Sequence, residues 1–257
     1  MLFLAVAAVA VGAGVLLLGN PFGTPATSPS PGPAASAGAY GDGTCPTAQP
    51  PALAADDSKL VTIETPRGTI VIRVDPALSP IATGNFVALA ECEYYDGVVF
   101  HRLVPDFVIQ GGDPDGTGSG PGPGYGIADE PITGTYRRGT VAMARTQAPN
   151  SQGSQFFIVL ADAAAGPLTQ VDPARGYAIL GEVVSGMDVV DVIAAMPNSG
   201  DQAGNEALEP VPMTRVTVSD APAATASPGA PSPSLAPSAG SPAPSAATPV
   251  ASPAPTT

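Results

Sequence analysis

Apolar and polar positions alternate along residues 59–75, KLVTIETPRGTIVIRVD, and the alternation breaks once, at Pro66, Arg67 and Gly68. β-Branched residues on both sides of a Pro/Gly turn predict a β-hairpin. The period then changes. Ser79 stands where a helix N-cap would, Pro80 suits the first helical position, and Ile81, Phe86, Val87 and Leu89 recur on roughly one face of a helix ending near Cys92. Short apolar or alternating runs predict further strands at 98–104, 107–110, 139–144, 154–160 and 177–184. A second helix is expected over 186–196, GMDVVDVIAAM, and MTRVTVSD offers a closing strand. Many short strands with only two helices indicate a barrel or sandwich rather than a parallel α/β sheet.

The ends of the chain lack this patterning. Residues 1–19 are almost wholly Leu, Val, Ala, Phe and Gly without a charge, about the length that spans a hydrocarbon core as a helix. They read as an uncleaved transmembrane anchor, with a cleaved signal segment as the alternative. Because the first basic residue is Lys59, charge gives the segment no orientation. Residues 20–57 are rich in Pro, Ala, Ser, Gly and Thr and read as a linker. The tail, 221–257, repeats that composition without a charged residue and is expected to be disordered, with extended polyproline character. A block of ordinary hydrophobic content, 58–220, remains for one sizeable core.

Composition narrows the function. A net charge of −13 with no basic patch leaves nucleic acid an unlikely ligand. Cys45 and Cys92 match no zinc spacing. In an exported chain they could pair, and by the chain-entropy argument a bridge closing about 47 residues stabilises by roughly 4 kcal/mol. Two independent thiols is the other reading. The segment 112–126, GDPDGTGSGPGPGYG, lacks the following helix of a nucleotide-binding turn, and it lacks the remaining ligands of a calcium loop, so it reads as a surface loop. His101 is the only histidine, and in an apolar strand it is more readily a structural residue than a base. No pair of carboxylates stands out for hydrolysis.

Two segments resist a purely structural reading. FHRLVPDFVIQGGD, 100–113, sets Arg102 and Gln110 into strands that otherwise want burial, and GTVAMARTQAPNSQGSQFFIVL, 139–160, carries GSQFFI at 153–158. Together they resemble the cyclophilin family of peptidyl-prolyl isomerases, with support from NFVALAECEYYDG before the first and YAILGEVVSGMDVVDVI after the second. The resemblance runs over residues 60–220. It implies a closed eight-stranded antiparallel barrel capped by two helices, acting without cofactor or metal on X-Pro bonds of polypeptides.

Carried onto this chain, the resemblance makes Arg102 the catalytic arginine. Phe107, Val108, Phe157 and Leu168 become the proline pocket, with Val108 where methionine is common. Gln110 holds substrate backbone and the arginine, and Gln155 is a second polar wall. Ala144 and Arg145 form the strand edge that pairs with substrate, Arg145 standing where asparagine is frequent. Pro167 and Tyr177 replace tryptophan and histidine, and the Tyr177 hydroxyl can still donate a hydrogen bond. The chain is thus expected to be a monomeric, exported, membrane-tethered isomerase working on other exported proteins. The rival is a non-catalytic member that binds proline-rich peptides as a holdase or envelope adaptor.

Overall fold

The computed structural model describes residues 44–120, 122–170 and 176–222. The apolar segment 1–19, the linker up to residue 43 and the tail from 223 lie outside the described residues. Among those described, no helix is long and apolar enough to cross a membrane.

Nine antiparallel strands form one curled sheet. The predicted hairpin is β1 (Lys59–Thr65) and β2 (Gly68–Val74), paired from Lys59 with Val74 to Thr65 with Gly68. Helix α1 (Pro80–Glu91) follows, then β3 (Val99–Val104), β4 (Val108–Asp113), β5 (Thr140–Met143) and β6 (Phe156–Val159). A five-residue helix α2 (Ala165–Thr169), β7 (Ile179–Ser185), α3 (Met187–Ala194), β8 (Glu206–Pro212) and β9 (Arg215–Asp220) complete the order. The sheet order is β8-β3-β4-β6-β5-β7-β2-β1-β9.

The expected eight strands become nine because a further strand, β8, precedes the expected closing strand, which is β9. β8 pairs with β3 and β9 with β1, and only Met213 and Thr214 separate them. Met213 bonds the β3 side, its N–H donating to Val98 at 2.8 Å, while the Thr214 N–H donates to Glu64 of β1 at 2.7 Å. The sheet therefore meets itself through a bent chain rather than through a closed ladder. β8 was not expected as a strand, since Pro210 and Pro212 argue against one; it runs along the sheet edge, where a missing N–H is tolerated. α2 is the unexpected third helix.

The interior is continuous from β1 and β2 to the underside of α1, with Phe86, Tyr95, Phe100 and Phe156 in contact at its centre. α1 is buried from Ala82 to Ala90 rather than along one stripe. Its small residues permit this: a side chain on Gly84 would meet the Pro51 carbonyl oxygen. Nor does Ser79 cap the helix with its hydroxyl. The Glu130 carboxylate does so from a distant loop, accepting from Ile81 N–H and Ala82 N–H at 2.8 Å each.

The linker expectation needs a corrected boundary. Residues from Thr44 are part of the packed unit: Leu53 N–H donates to Pro80 at 3.0 Å, and Gln49 accepts from Ala128 N–H at 2.8 Å. Cys45 and Cys92 form a disulfide that fastens this arm to the end of α1, with Cα atoms 5.1 Å apart.

Candidate active site

Strict alternation along β3 would put Phe100 and Arg102 on the same face. A bulge prevents it. Phe100 pairs with Gly111 but Arg102 with Gln110, so His101 is an extra residue on β3, and Gly112 compensates on β4 before Val99 meets Asp113. Gly112 has φ +88, and a side chain there would meet the Ser154 carbonyl oxygen at 2.5 Å, so glycine is required. With the bulge, Phe100 and Leu103 both enter the interior while Arg102 and Val104 face outward. Asp106 at φ 58 completes the turn that brings β4 back.

The outer face of this wall carries a second apolar cluster, distinct from the barrel interior. Val108 from β4, Phe157 from β6, Ile179 from β7 and Leu168 from α2 are buried in it, and Phe107, Ala144 and Tyr177 border it half-exposed. The Phe157 and Tyr177 rings meet edge to face at 5.2 Å. α2 supplies Leu168, and Phe107 is tied down where its carbonyl accepts Leu160 N–H at 2.9 Å. The four residues expected to form the proline pocket, Phe107, Val108, Phe157 and Leu168, share one cluster, with Ala144 and Tyr177 at its border.

A polar line runs beside them. Arg102 Nη1 donates to Gln110 Oε1 at 3.2 Å, Gln110 Nε2 donates to Gln155 Oε1 at 2.8 Å, and Arg102 Nε donates to the Gly204 carbonyl at 3.3 Å. Gln110 lies opposite Arg102 on one side and Phe157 on the other. Burial pulls the Arg102 guanidinium below its usual pKa, an effect the nearby Tyr177 phenol opposes. A guanidinium stays charged at working pH. Burial pushes the Tyr177 phenol up, with Arg102 and Arg145 opposing, so it stays protonated and can donate.

The Arg145 side chain turns to its own loop and to Asp129. Its Nε donates to the Thr146 carbonyl at 3.0 Å, its Nη2 to the Ala148 carbonyl at 2.9 Å, and its Nη1 lies 3.3 Å from Asp129 Oδ1. The side chain is 4% exposed. It braces its own loop.

Three contributors were invisible in the sequence. Tyr136 is buried, its hydroxyl donating to the Tyr177 carbonyl at 2.7 Å and accepting the Tyr177 N–H at 3.2 Å, and burial pushes its pKa up to about 12. It fixes the backbone of Tyr177 from 41 residues away. Gly204 and Asp129 likewise act from distant loops, and no local period marks them. The loop after β4 is held at its start by a buried carboxylate. Asp113 is fully buried and accepts N–H bonds from Asp115 at 3.3 Å and Gly120 at 3.0 Å, with a further bond from the Thr117 hydroxyl at 3.3 Å.

Comparison with known proteins places this arrangement. A family model described as cyclophilin type peptidyl-prolyl cis-trans isomerase/CLD matches residues 60–218. A peptidyl-prolyl cis-trans isomerase of Acinetobacter baylyi is 40% identical over 141 residues, covering 54% of this chain and 74% of that protein. Peptidyl-prolyl cis-trans isomerase A of Dickeya dadantii is 38% identical over 149 residues, 58% of this chain and 77% of that one. Among solved structures, a cyclophilin type isomerase of Cryptosporidium parvum, crystallised in the presence of the dipeptide Ala-Pro, aligns with a TM-score of 0.55 at 30% identity. That alignment covers 62% of this chain and 98% of that one.

Proposed function

The chain belongs to the cyclophilin type peptidyl-prolyl cis-trans isomerases, and from that membership we propose that Arg102 carries the chemistry on the outer face of the sheet. Rotation about an X-Pro bond breaks amide resonance across a barrier of about 18–20 kcal/mol. No bond is made or cleaved, so the catalyst has to favour the twisted imide over the planar one. In the twisted state the nitrogen becomes pyramidal and accepts a hydrogen bond. Arg102 donates to it, and one well-placed donor in a water-poor site is worth about 3 to 4 kcal/mol.

The proline ring sits on Phe107, Val108, Phe157 and Leu168, with Tyr177 at the rim. Gln110 holds Arg102 from one side and Gly204 from the other, so the guanidinium is oriented before substrate arrives. Gln110 and Gln155 bond the flanking backbone. The observation that carries this reading is the unbroken chain Arg102–Gln110–Gln155 running beside an apolar bed whose border at Phe107, Ala144 and Tyr177 is half-exposed.

We also propose that the substrates are exported polypeptides and that the apolar segment 1–19 tethers the domain outside the cytoplasm. The Cys45–Cys92 bridge supports an oxidising setting, where disulfides persist. NMR exchange measurements on an Ala-Pro peptide test the mechanism. Wild-type chain accelerates cis-trans exchange, and Arg102→Ala abolishes most of the acceleration while still binding peptide; an unchanged rate in the variant rejects the role given to Arg102.

A further inference from the structure

Residues 127–130 form a fixed post beside the candidate groove. Ile127 N–H donates to the Gln152 carbonyl at 2.9 Å, Ala128 N–H to Gln49 at 2.8 Å, and Glu130 caps α1. Three different parts of the fold thus hold the four residues still. Asp129 is the one among them that meets Arg145. Its Oδ1 lies 3.3 Å from Arg145 Nη1 and accepts Gln152 Nε2 at 3.4 Å, and its Oδ2 accepts Asn150 N–H at 3.0 Å. Its own N–H donates to Asn150 Oδ1 at 3.0 Å. The Asp129 and Arg145 side chains are 9% and 4% exposed, so solvent does little to screen the pair.

Arg145 directly follows Ala144, which borders the apolar bed and is held to Gln155 by an N–H bond of 2.8 Å. We infer that Asp129 is a positioning residue for substrate binding: through Arg145 and Asn150 it sets the loop 145–152 and with it the strand edge at Ala144 that grips the peptide backbone. This rests on the groove assignment made above. Arg145 occupies a position expected to touch substrate, yet its fork spans two loop carbonyls and a carboxylate, a geometry suited to bracing. Lysine, a point donor on a flexible stem, cannot reproduce it. The brace meets the polar line at Gln155, through the Ala144 N–H bond and at the end away from Arg102, so it acts on how well peptide is held and leaves the rotation step alone.

The test uses full-length chain and an Ala-Pro peptide, with the dissociation constant from titration and the exchange rate of bound peptide from NMR. Asp129→Ala and Arg145→Ala should each weaken binding about tenfold, as expected when a gripping edge shifts by a fraction of an ångström. The bound-state exchange rate should stay within about twofold of wild type. The double variant should be no worse than either single one, since the two act as a unit. Arg145→Lys should recover only part of the binding. An unchanged dissociation constant, additive losses, or a bound exchange rate that falls with the affinity would each overturn the inference. If Asp129→Ala does not fold, Asp129→Asn keeps the shape and drops the charge opposite Arg145, and it is read in the same way. Failure of wild-type chain to accelerate exchange removes the underlying groove assignment instead, so the two failures are distinguishable.

Discussion

The wall made by β3, β4, β5 and β6 has two apolar faces, built from alternate residues of the same strands. Phe100, Ile109, Met143, Phe156 and Ile158 point inward, while Val108, Ala142, Phe157 and Val159 point outward. The inner face is sealed, and Phe156 meets Phe86 at 5.2 Å, Tyr95 at 5.7 Å and Phe100 at 6.1 Å. The outer face is buried along Val108, Ala142, Phe157 and Val159 as well, but its border at Phe107, Ala144 and Tyr177 is half-exposed, and a line of donors and acceptors runs beside it. Similar side chains thus stabilise the fold on one side and, in the function proposed above, form a binding bed on the other. What separates the two faces is the polar line Arg102–Gln110–Gln155 on the outer one.

The comparison breaks most visibly where its two sides should respond oppositely. Phe156→Ala should destabilise by about 3–5 kcal/mol in urea unfolding, because a cavity opens among rings that cannot close on it. A loss under about 1 kcal/mol would deny the inner face its role. Arg102→Ala should instead reduce the isomerisation rate by about two to three orders of magnitude. Its unfolding midpoint should barely move; a large loss of stability would make Arg102 a structural residue. Phe157→Leu sits between these cases. It should lower kcat/KM about tenfold through the proline bed, with a stability cost of about 1 kcal/mol.

Tyr136→Phe sharpens the outer side further. It removes the hydroxyl that pins Tyr177 while keeping the ring, so activity should fall several-fold, with a stability loss of about 1–2 kcal/mol from two unpartnered backbone groups. The smallest expected effect belongs to His101, the bulge residue between the two faces. Burial holds its pKa below the usual value, with the Asp113 carboxylate opposing. The unfolded chain therefore takes up the proton first as pH falls. The stability contribution is complete above the unfolded value near 6.5 and is lost as pH drops toward the depressed folded value. Equilibrium unfolding from pH 7 to pH 5 should show this slope, and His101→Phe, the chain having no other histidine, should flatten it.

By itself the sequence determined what depends on local period and on residue chemistry. Alternation in KLVTIETPRGTIVIRVD located β1 and β2, Pro80 marked the start of α1, and the phrases around Arg102, Gln110, Gln155 and Phe157 named the site. A buried strand writes its faces into every second residue, and a turn writes its backbone into proline, glycine or aspartate. Tertiary structure decided the rest. The bulge at His101 and Gly112 set which face Arg102 occupies, although simple alternation puts it beside Phe100. Glu130 rather than Ser79 capped α1, and Arg145 turned to Asp129, 16 residues away in the chain. A proline-bearing segment became β8 because it lies on an edge, and residues from Thr44 became part of the domain because a disulfide and α1 hold them. Each of these joins groups far apart in the chain, and a bond between distant residues leaves no period in the sequence to read.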